Sequence, residues 1–180
     1  MHTIALDSDG HIWGTGVRAY AGFPSSNNYK TFEEEREFKM LPDIKKYRFL
    51  HISVAEFHTL AIRTTREIYG WGKSEYGKLA KDTFVSVSDN DQLKNIILPK
   101  KIEKLSDMMY VAAGANHSYG LNRNREAFGW GCAIAGRLGI SKEDMKLLLS
   151  MNLMKNEDNV LVLKQPQELK FSFRKEGMAH

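Results

Sequence analysis

The chain has 180 residues with a formal net charge of +4, and 42% of them are hydrophobic and 27% charged. These proportions are typical of a globular protein and exclude an intrinsically disordered chain. One cysteine, Cys132, excludes an internal disulfide scaffold and a cysteine zinc site. No apolar run approaches the roughly 20 residues of a membrane-spanning helix, and the N-terminus lacks a signal-peptide pattern. We therefore expect an intracellular protein, cytoplasmic or nuclear, with no membrane association.

The first predicted element is a β-hairpin. From His2 to Gly14 an alternating apolar and polar run, a polar turn and a second alternating run follow one another. Such a pattern predicts two antiparallel strands. The pattern returns from His58 to Gly72 and from His117 to Gly131, and in this alignment Trp13-Gly14 matches Trp71-Gly72 and Trp130-Gly131.

Long connections follow each hairpin. In the first, Thr31-Phe32-Glu33-Glu34 has the capping-box pattern, which predicts a short acidic helix over about 31–39. The second, Asp82 to Leu98, is polar and predicts an exposed connection. In the third, Ser141 precedes an acidic first turn and apolar residues at helical spacing, which predicts an amphipathic helix over about 142–154.

Equivalent histidines recur at positions 2, 58, 117 and 180. They divide the chain into repeat units 2–57, 58–116 and 117–179, and His180 opens the next unit. Repeating β-units of this length predict an all-β fold made of propeller blades.

The pattern from Gly114-Ala115-Asn116-His117-Ser118 through Gly129-Trp130-Gly131 to Gly136-Arg137-Leu138-Gly139 resembles the repeats of the regulator of chromosome condensation family. The resemblance implies a β-propeller with four-stranded antiparallel blades, normally seven in that family. Three units then form a partial propeller of about three blades, and we expect sequence beyond the ends to supply the remainder. The chain departs from the family pattern at Ala19, Ala55 and Ala80, where glycine is expected.

Five residues are predicted to be structural. A tryptophan buries on the order of 200 Å² of ring surface, so we interpret Trp13, Trp71 and Trp130 as wedges between neighbouring sheets. The equivalent histidines lie on separate blades and therefore cannot form one metal site. We expect His58 and His117 to make structural hydrogen bonds.

No motif predicts catalysis or a cofactor. Gly14-Thr15-Gly16 imitates part of a dinucleotide-binding fingerprint, but the fingerprint needs a following helix and an acid about 20 residues later. The repeat explains these glycines better. No His and Asp pair can be assigned to Cys132. We therefore expect neither an enzyme nor a metal or cofactor site.

By resemblance, the loops just before each repeat histidine lie on one propeller face, which in the best-known family member engages the GTPase Ran and promotes nucleotide release. The matching binding positions are Glu56, Phe57, Ala115 and Asn116, followed in the third unit by Met178 and Ala179. Only Glu56 and Asn116 are polar.

These residues lead to three functional hypotheses. The first is a non-catalytic module that binds a protein partner. The alternative is a guanine nucleotide exchange factor or regulator of a Ran-type small GTPase. The weakest is chromatin or nucleic-acid association, because the basic residues are interleaved with acidic ones instead of forming the stripe typical of nucleic-acid binders.

Overall fold

Three antiparallel sheets make up the computed structural model, which describes residues 2–24, 33–80, 96–103, 105–157 and 160–169. The first sheet has the order β1 (His2–Leu6), β2 (Ile12–Val17), β3 (Glu34–Met40). The second has the order β4 (Phe49–Val54), β5 (His58–Arg63), β6 (Ile68–Lys73), β7 (Ile96–Lys101). The third has the order β8 (Met108–Ala113), β9 (His117–Asn122), β10 (Ala127–Cys132), β12 (Val160–Leu169), β11 (Met154–Glu157).

Helices are short and lie between strands. The first, α1 (Arg18–Ala21), follows β2, and the second, α2 (Lys142–Ser150), precedes β11. Three 3₁₀ turns are found at Pro42–Ile44, Glu75–Gly77 and Ile134–Gly136. No helix in the described part of the chain has the length and apolarity to span a bilayer. The prediction of an all-β, partly built propeller is confirmed.

The sheets and the sequence repeats are offset by one strand. The histidine that opens each repeat lies at the start of β1, β5 or β9. However, β4 falls within repeat unit 2–57 and pairs with β5 of the next unit. In the same way β8 falls within unit 58–116 and pairs with β9. Repeat units 2–57 and 58–116 therefore each contribute one strand to the following sheet, which links successive sheets covalently.

The predicted acidic helix over 31–39 is wrong, because Glu34–Met40 form strand β3. This strand pairs with β2, with Gly16 opposite Glu35. The Glu35 carboxylate is buried and accepts from Arg18 Nη1 and Lys39 Nζ, both at 2.6 Å. A helix cap contributes about 1 kcal/mol, which is less than strand pairing and this ion-pair cluster provide together. Residues 31 and 32 lie outside the described residues.

The other two connections are only partly as expected. The predicted amphipathic helix is confirmed at Lys142–Ser150, and Ser141 caps it by accepting from the Asp144 N–H at 3.0 Å. It ends four residues earlier than predicted, because β11 begins at Met154. Of the predicted connection 82–98, residues 82–95 lie outside the described residues and the remainder begins strand β7 at Ile96.

Tryptophan side chains fill the spaces between the sheets. Trp71 is fully buried in a cluster that includes Ile4 of the first sheet. Trp130 is fully buried in a cluster with Leu60 of the second sheet and Met108 of the third. We refer to these two sheet interfaces as seam A, between the first and second sheets, and seam B, between the second and third.

Trp13 does not occupy the equivalent position, so its predicted match to Trp71 and Trp130 is wrong. His2 pairs with Gly16, His58 with Gly72 and His117 with Gly131. This register places Thr15 where the other two sheets have tryptophan. Trp13 is half-buried, and its indole N–H donates to Asp7 Oδ2 at 2.7 Å.

Replacing Trp130 by Ala should lower the free energy of unfolding by about 3–5 kcal/mol, because a buried ring would leave a cavity in seam B. The matched control is Trp13→Ala, which removes a half-buried ring outside both seams and should cost clearly less. Urea denaturation followed by circular dichroism measures both. Equal losses in the two variants would show that Trp130 is not a wedge between sheets.

Candidate interaction face

The two loops predicted to bind partners have the same backbone geometry. Ala55–Phe57 joins β4 to β5, and Gly114–Asn116 joins β8 to β9. The Lys73 N–H donates to the Phe57 carbonyl at 2.7 Å, and the Cys132 N–H donates to the Asn116 carbonyl at 2.8 Å. Each loop is therefore tied to the end of the hairpin beside it and holds its side chains in fixed positions.

The glycine that ends each hairpin permits this close approach. Gly72 and Gly131 have φ angles of 97° and 99°, in the left-handed region that favours glycine. A Cβ atom at Gly131 would lie 2.8 Å from the Asn116 carbonyl oxygen. The final glycine of each Gly-Trp-Gly motif therefore has two roles. It adopts the positive φ angle, and it leaves room for the neighbouring loop.

Glu56 and Phe57 present a charge beside an aromatic ring. Glu56 is exposed, and its carboxylate makes no ion pair within the described ranges. Phe57 is half-buried and packs edge-on against Tyr20 with ring centroids 5.3 Å apart. Lys73 Nζ lies 5.5 Å from the Phe57 ring centroid and pairs with Glu75 at 2.7 Å.

Asn116 is held by a buried lysine. Lys78 is fully buried, and its Nζ donates to Asn116 Oδ1 at 3.2 Å while lying 5.8 Å from the Phe57 ring centroid. Burial lowers the pKa of Lys78 to about 8, although Glu75 opposes this shift. Lys78 therefore lies between the two loops, and the amide oxygen of Asn116 is already engaged. Ala115, next to it, is exposed.

Of the four predicted binding residues, Phe57 and Asn116 lie beside Lys78, and Glu56 and Ala115 are exposed next to them in the same two loops. Met178, Ala179 and His180 lie outside the described residues. Sequence reasoning missed Lys73, Glu75 and Lys78. A signal for Lys78 existed, because it matches Arg137 in the segments Gly77-Lys78-Leu79 and Gly136-Arg137-Leu138. Long basic side chains are rarely buried, so composition alone did not predict the burial of Lys78. The recurrence of a basic residue at this position in two repeats was the available indication that it has a structural role.

The repeat histidines reach across the seams to hydroxyl groups. His2 Nε2 lies 3.2 Å from Thr59 Oγ1 in seam A, and His58 Nε2 lies 3.1 Å from Ser118 Oγ in seam B. In both seams the hydroxyl belongs to the residue after the next repeat histidine. His117 instead packs edge-on against Tyr119, with ring centroids 5.5 Å apart.

The direction of the His58 hydrogen bond follows from Ser118. The Ser118 hydroxyl donates to the Lys78 carbonyl at 2.8 Å. A serine has one hydroxyl hydrogen, so Ser118 Oγ must accept from His58, which carries its hydrogen on Nε2. Burial lowers the pKa of His58 to about 3 and that of His2 to about 4. Both rings are therefore neutral at pH 7.

Within the described ranges, no group of three His, Cys, Asp or Glu residues could hold a metal ion. Cys132 is a buried free thiol.

Comparison with known proteins finds matches to proteins with the same kind of repeat. A model of the regulator of chromosome condensation (RCC1) repeat matches residues 67–121. The Probable E3 ubiquitin-protein ligase HERC4 of Homo sapiens is 31% identical over 121 residues, which cover 67% of this chain and 10% of the relative. The guanine nucleotide exchange factor SRM1 of Saccharomyces cerevisiae is 25% identical over 164 residues, which cover 89% of this chain and 32% of the relative.

A solved structure shares the fold. The structure of Prp20p from Saccharomyces cerevisiae, studied with its binding to Gsp1p and histones, matches with a TM-score of 0.66 and 20% identity. The match covers 96% of this chain and 35% of that one. This chain therefore spans between a tenth and about a third of the length of these three proteins.

Acidification should destabilise the chain partly through His58. The pKa is about 3 in the folded chain and about 6.5 in an unfolded one, so the unfolded chain binds more protons between these pH values. Stability therefore falls as the pH is lowered through this window. His58→Gln can still donate to Ser118 but cannot titrate.

Urea denaturation midpoints measured from pH 7 to pH 4.5 test this expectation. The midpoint should fall less steeply in His58→Gln than in the natural chain, while carboxylates contribute equally to both. Identical slopes would show that His58 is not held neutral in seam B.

Proposed function

The chain belongs to the regulator of chromosome condensation (RCC1) repeat family, and we propose that it is a β-propeller module that binds another protein without chemistry of its own. The surface proposed for binding is the interaction face, defined by Glu56, Phe57, Ala115 and Asn116. The observation that carries the proposal is the arrangement of these two loops around Lys78. The loops are fixed by backbone hydrogen bonds and so pay little ordering cost on binding.

The chemistry of the interaction face suits a protein partner. The Phe57 ring is half-buried, and an exposed carboxylate at Glu56 and the Lys73–Glu75 ion pair surround it. Protein interfaces commonly place aromatic side chains at the centre and polar groups at the rim. His58 and Lys78 are both fully buried, so neither side chain is presented to a bound partner as a base or nucleophile. This supports binding in preference to catalysis.

Nucleotide exchange on a Ran-type small GTPase is the second candidate. It is supported by the likeness to the exchange factor SRM1 and to Prp20p, which was studied with its binding to Gsp1p. An exchange surface must compete for the phosphate-binding elements and Mg²⁺ of the GTPase, which calls for several free polar side chains. Here Asn116 is engaged by Lys78, and Glu75 by Lys73. Glu56 is the carboxylate that remains available on the interaction face.

We expect this chain, in excess, to give no many-fold acceleration of fluorescent nucleotide release from a Ran-type GTPase, because Glu56 alone is too little to displace nucleotide. Stopped-flow or plate fluorescence measures the release rate. A many-fold acceleration that is lost in Glu56→Ala and kept in the control Glu103→Ala would favour exchange over simple binding. Glu103 is an exposed carboxylate after β7, at the opposite end of the second sheet from the Ala55–Phe57 loop.

Binding itself is tested with the same GTPase and with core histones as probes. Charge reversal in Glu56→Lys should weaken the binding of a probe at least tenfold, about 1.4 kcal/mol, while Glu103→Lys should leave it unchanged. Biolayer interferometry measures both affinities. Equal weakening by the two variants, or no measurable affinity for either probe, would contradict this role of the interaction face for these partners.

A further inference from the structure

The third sheet contains additional elements that the second sheet lacks. It has five strands instead of four, and the segment between β10 and β12 adds both helix α2 and strand β11. One side of α2 packs inwards, where Met145 and Leu148 contact a small core that contains Leu138 and Met154. The helix is therefore fixed to the sheet by a few apolar contacts.

Exposed apolar side chains accompany the inward-facing residues of this segment. Leu147 and Met151 are four residues apart, on one side of the helix, and are 56% and 58% exposed. Leu149 is 38% exposed and points to another side, about 200° around the helix from Leu147. Exposed apolar side chains that lie together mark interaction sites more often than isolated ones do.

A groove lies between α2 and β12, and Leu147 is the one of these three residues that lines it. Its volume is about 200 Å³, and its apolar lining consists of Ile140, Leu147, Leu148 and Leu169. Pockets for small molecules usually measure about 300–1,000 Å³. The groove is therefore the size for one large side chain of a partner and too small for a cofactor.

The charges at the groove have one sign. Asp144 and Glu168 line it and are both exposed, and no lysine or arginine belongs to the lining given by the described residues. Lys142 and Lys146 lie on the same helix outside the lining. A complementary partner would therefore carry positive charge next to its apolar anchor.

We propose that the groove between α2 and β12 docks a short basic segment of a partner protein. One large apolar side chain of that segment enters the cavity, and flanking lysine or arginine side chains face Asp144 and Glu168. This docking site is separate from the interaction face, and it uses none of the same residues. An acidic segment and a second copy of this chain are the competing occupants.

Selection of random peptides displayed on phage, with the whole chain as bait, identifies the occupant. We expect the selected peptides to share one large apolar residue flanked by lysine or arginine. Synthetic fluorescent versions should lose affinity at least tenfold in Leu147→Gln and in Glu168→Lys, and should bind more weakly as salt increases. The matched control is Phe38→Gln, which replaces an apolar side chain on β3 that is 49% exposed and should not change affinity.

Several results would overturn the proposal. These are the absence of any selected peptide, the selection of acidic flanks, and affinity that is unchanged in Leu147→Gln. Dimerisation in sedimentation experiments that disappears in Leu147→Gln would instead assign the groove to a second copy of the chain. Leu147 and Glu168 are both exposed, so we expect both variants to stay folded. An unchanged circular dichroism spectrum of each variant would show that a loss of affinity does not come from unfolding.

Discussion

The carbonyl group of Lys78 is the point on which seam B depends. It accepts the Ser118 hydroxyl at 2.8 Å and the Trp130 indole N–H at 2.9 Å, both from the neighbouring sheet. Ser118 in turn accepts from His58, so three donors are satisfied in a space from which water is excluded. A buried polar group is costly when unpaired, so this network stabilises the observed packing of the third sheet against the second. The Lys78 side chain then holds Asn116, which connects the seam to the interaction face.

Seam A has the same histidine-to-hydroxyl contact between sheets as seam B, but fewer other polar contacts. His2 reaches Thr59 as His58 reaches Ser118. Trp71 is fully buried, but its indole N–H has no partner among the described residues, and its ring lies against Gly22. The register that aligns Gly16 with Gly72 also aligns Gly22 with Lys78. A Cβ atom at Gly22 would lie 2.8 Å from the Trp71 ring, so this position has no room for a side chain. Seam A therefore depends more on apolar packing than seam B does.

The sequence allowed the repeat, the sheets and helix α2 to be predicted, because the strands repeat a local pattern and α2 has its own capping signal at Ser141. It misled where a non-local contact decided the outcome. Strand β3 carries a helix-capping signal at its start, but pairing with β2 and the buried Glu35 outweigh it. Trp13 looked equivalent to Trp71 because the dipeptide matched, whereas the strand register aligns Thr15 with it. Lys78 was missed because its burial depends on the neighbouring sheet.

The hydrogen bond from His58 to Ser118 couples the second and third sheets, and a double-mutant cycle measures that coupling directly. Unfolding free energies would be measured for His58→Ala, Ser118→Ala and the double variant. We expect the double variant to lose less stability than the sum of the single losses, with a coupling of about 0.5–3 kcal/mol. Losses that add to within about 0.3 kcal/mol, as for distant residues, would contradict it.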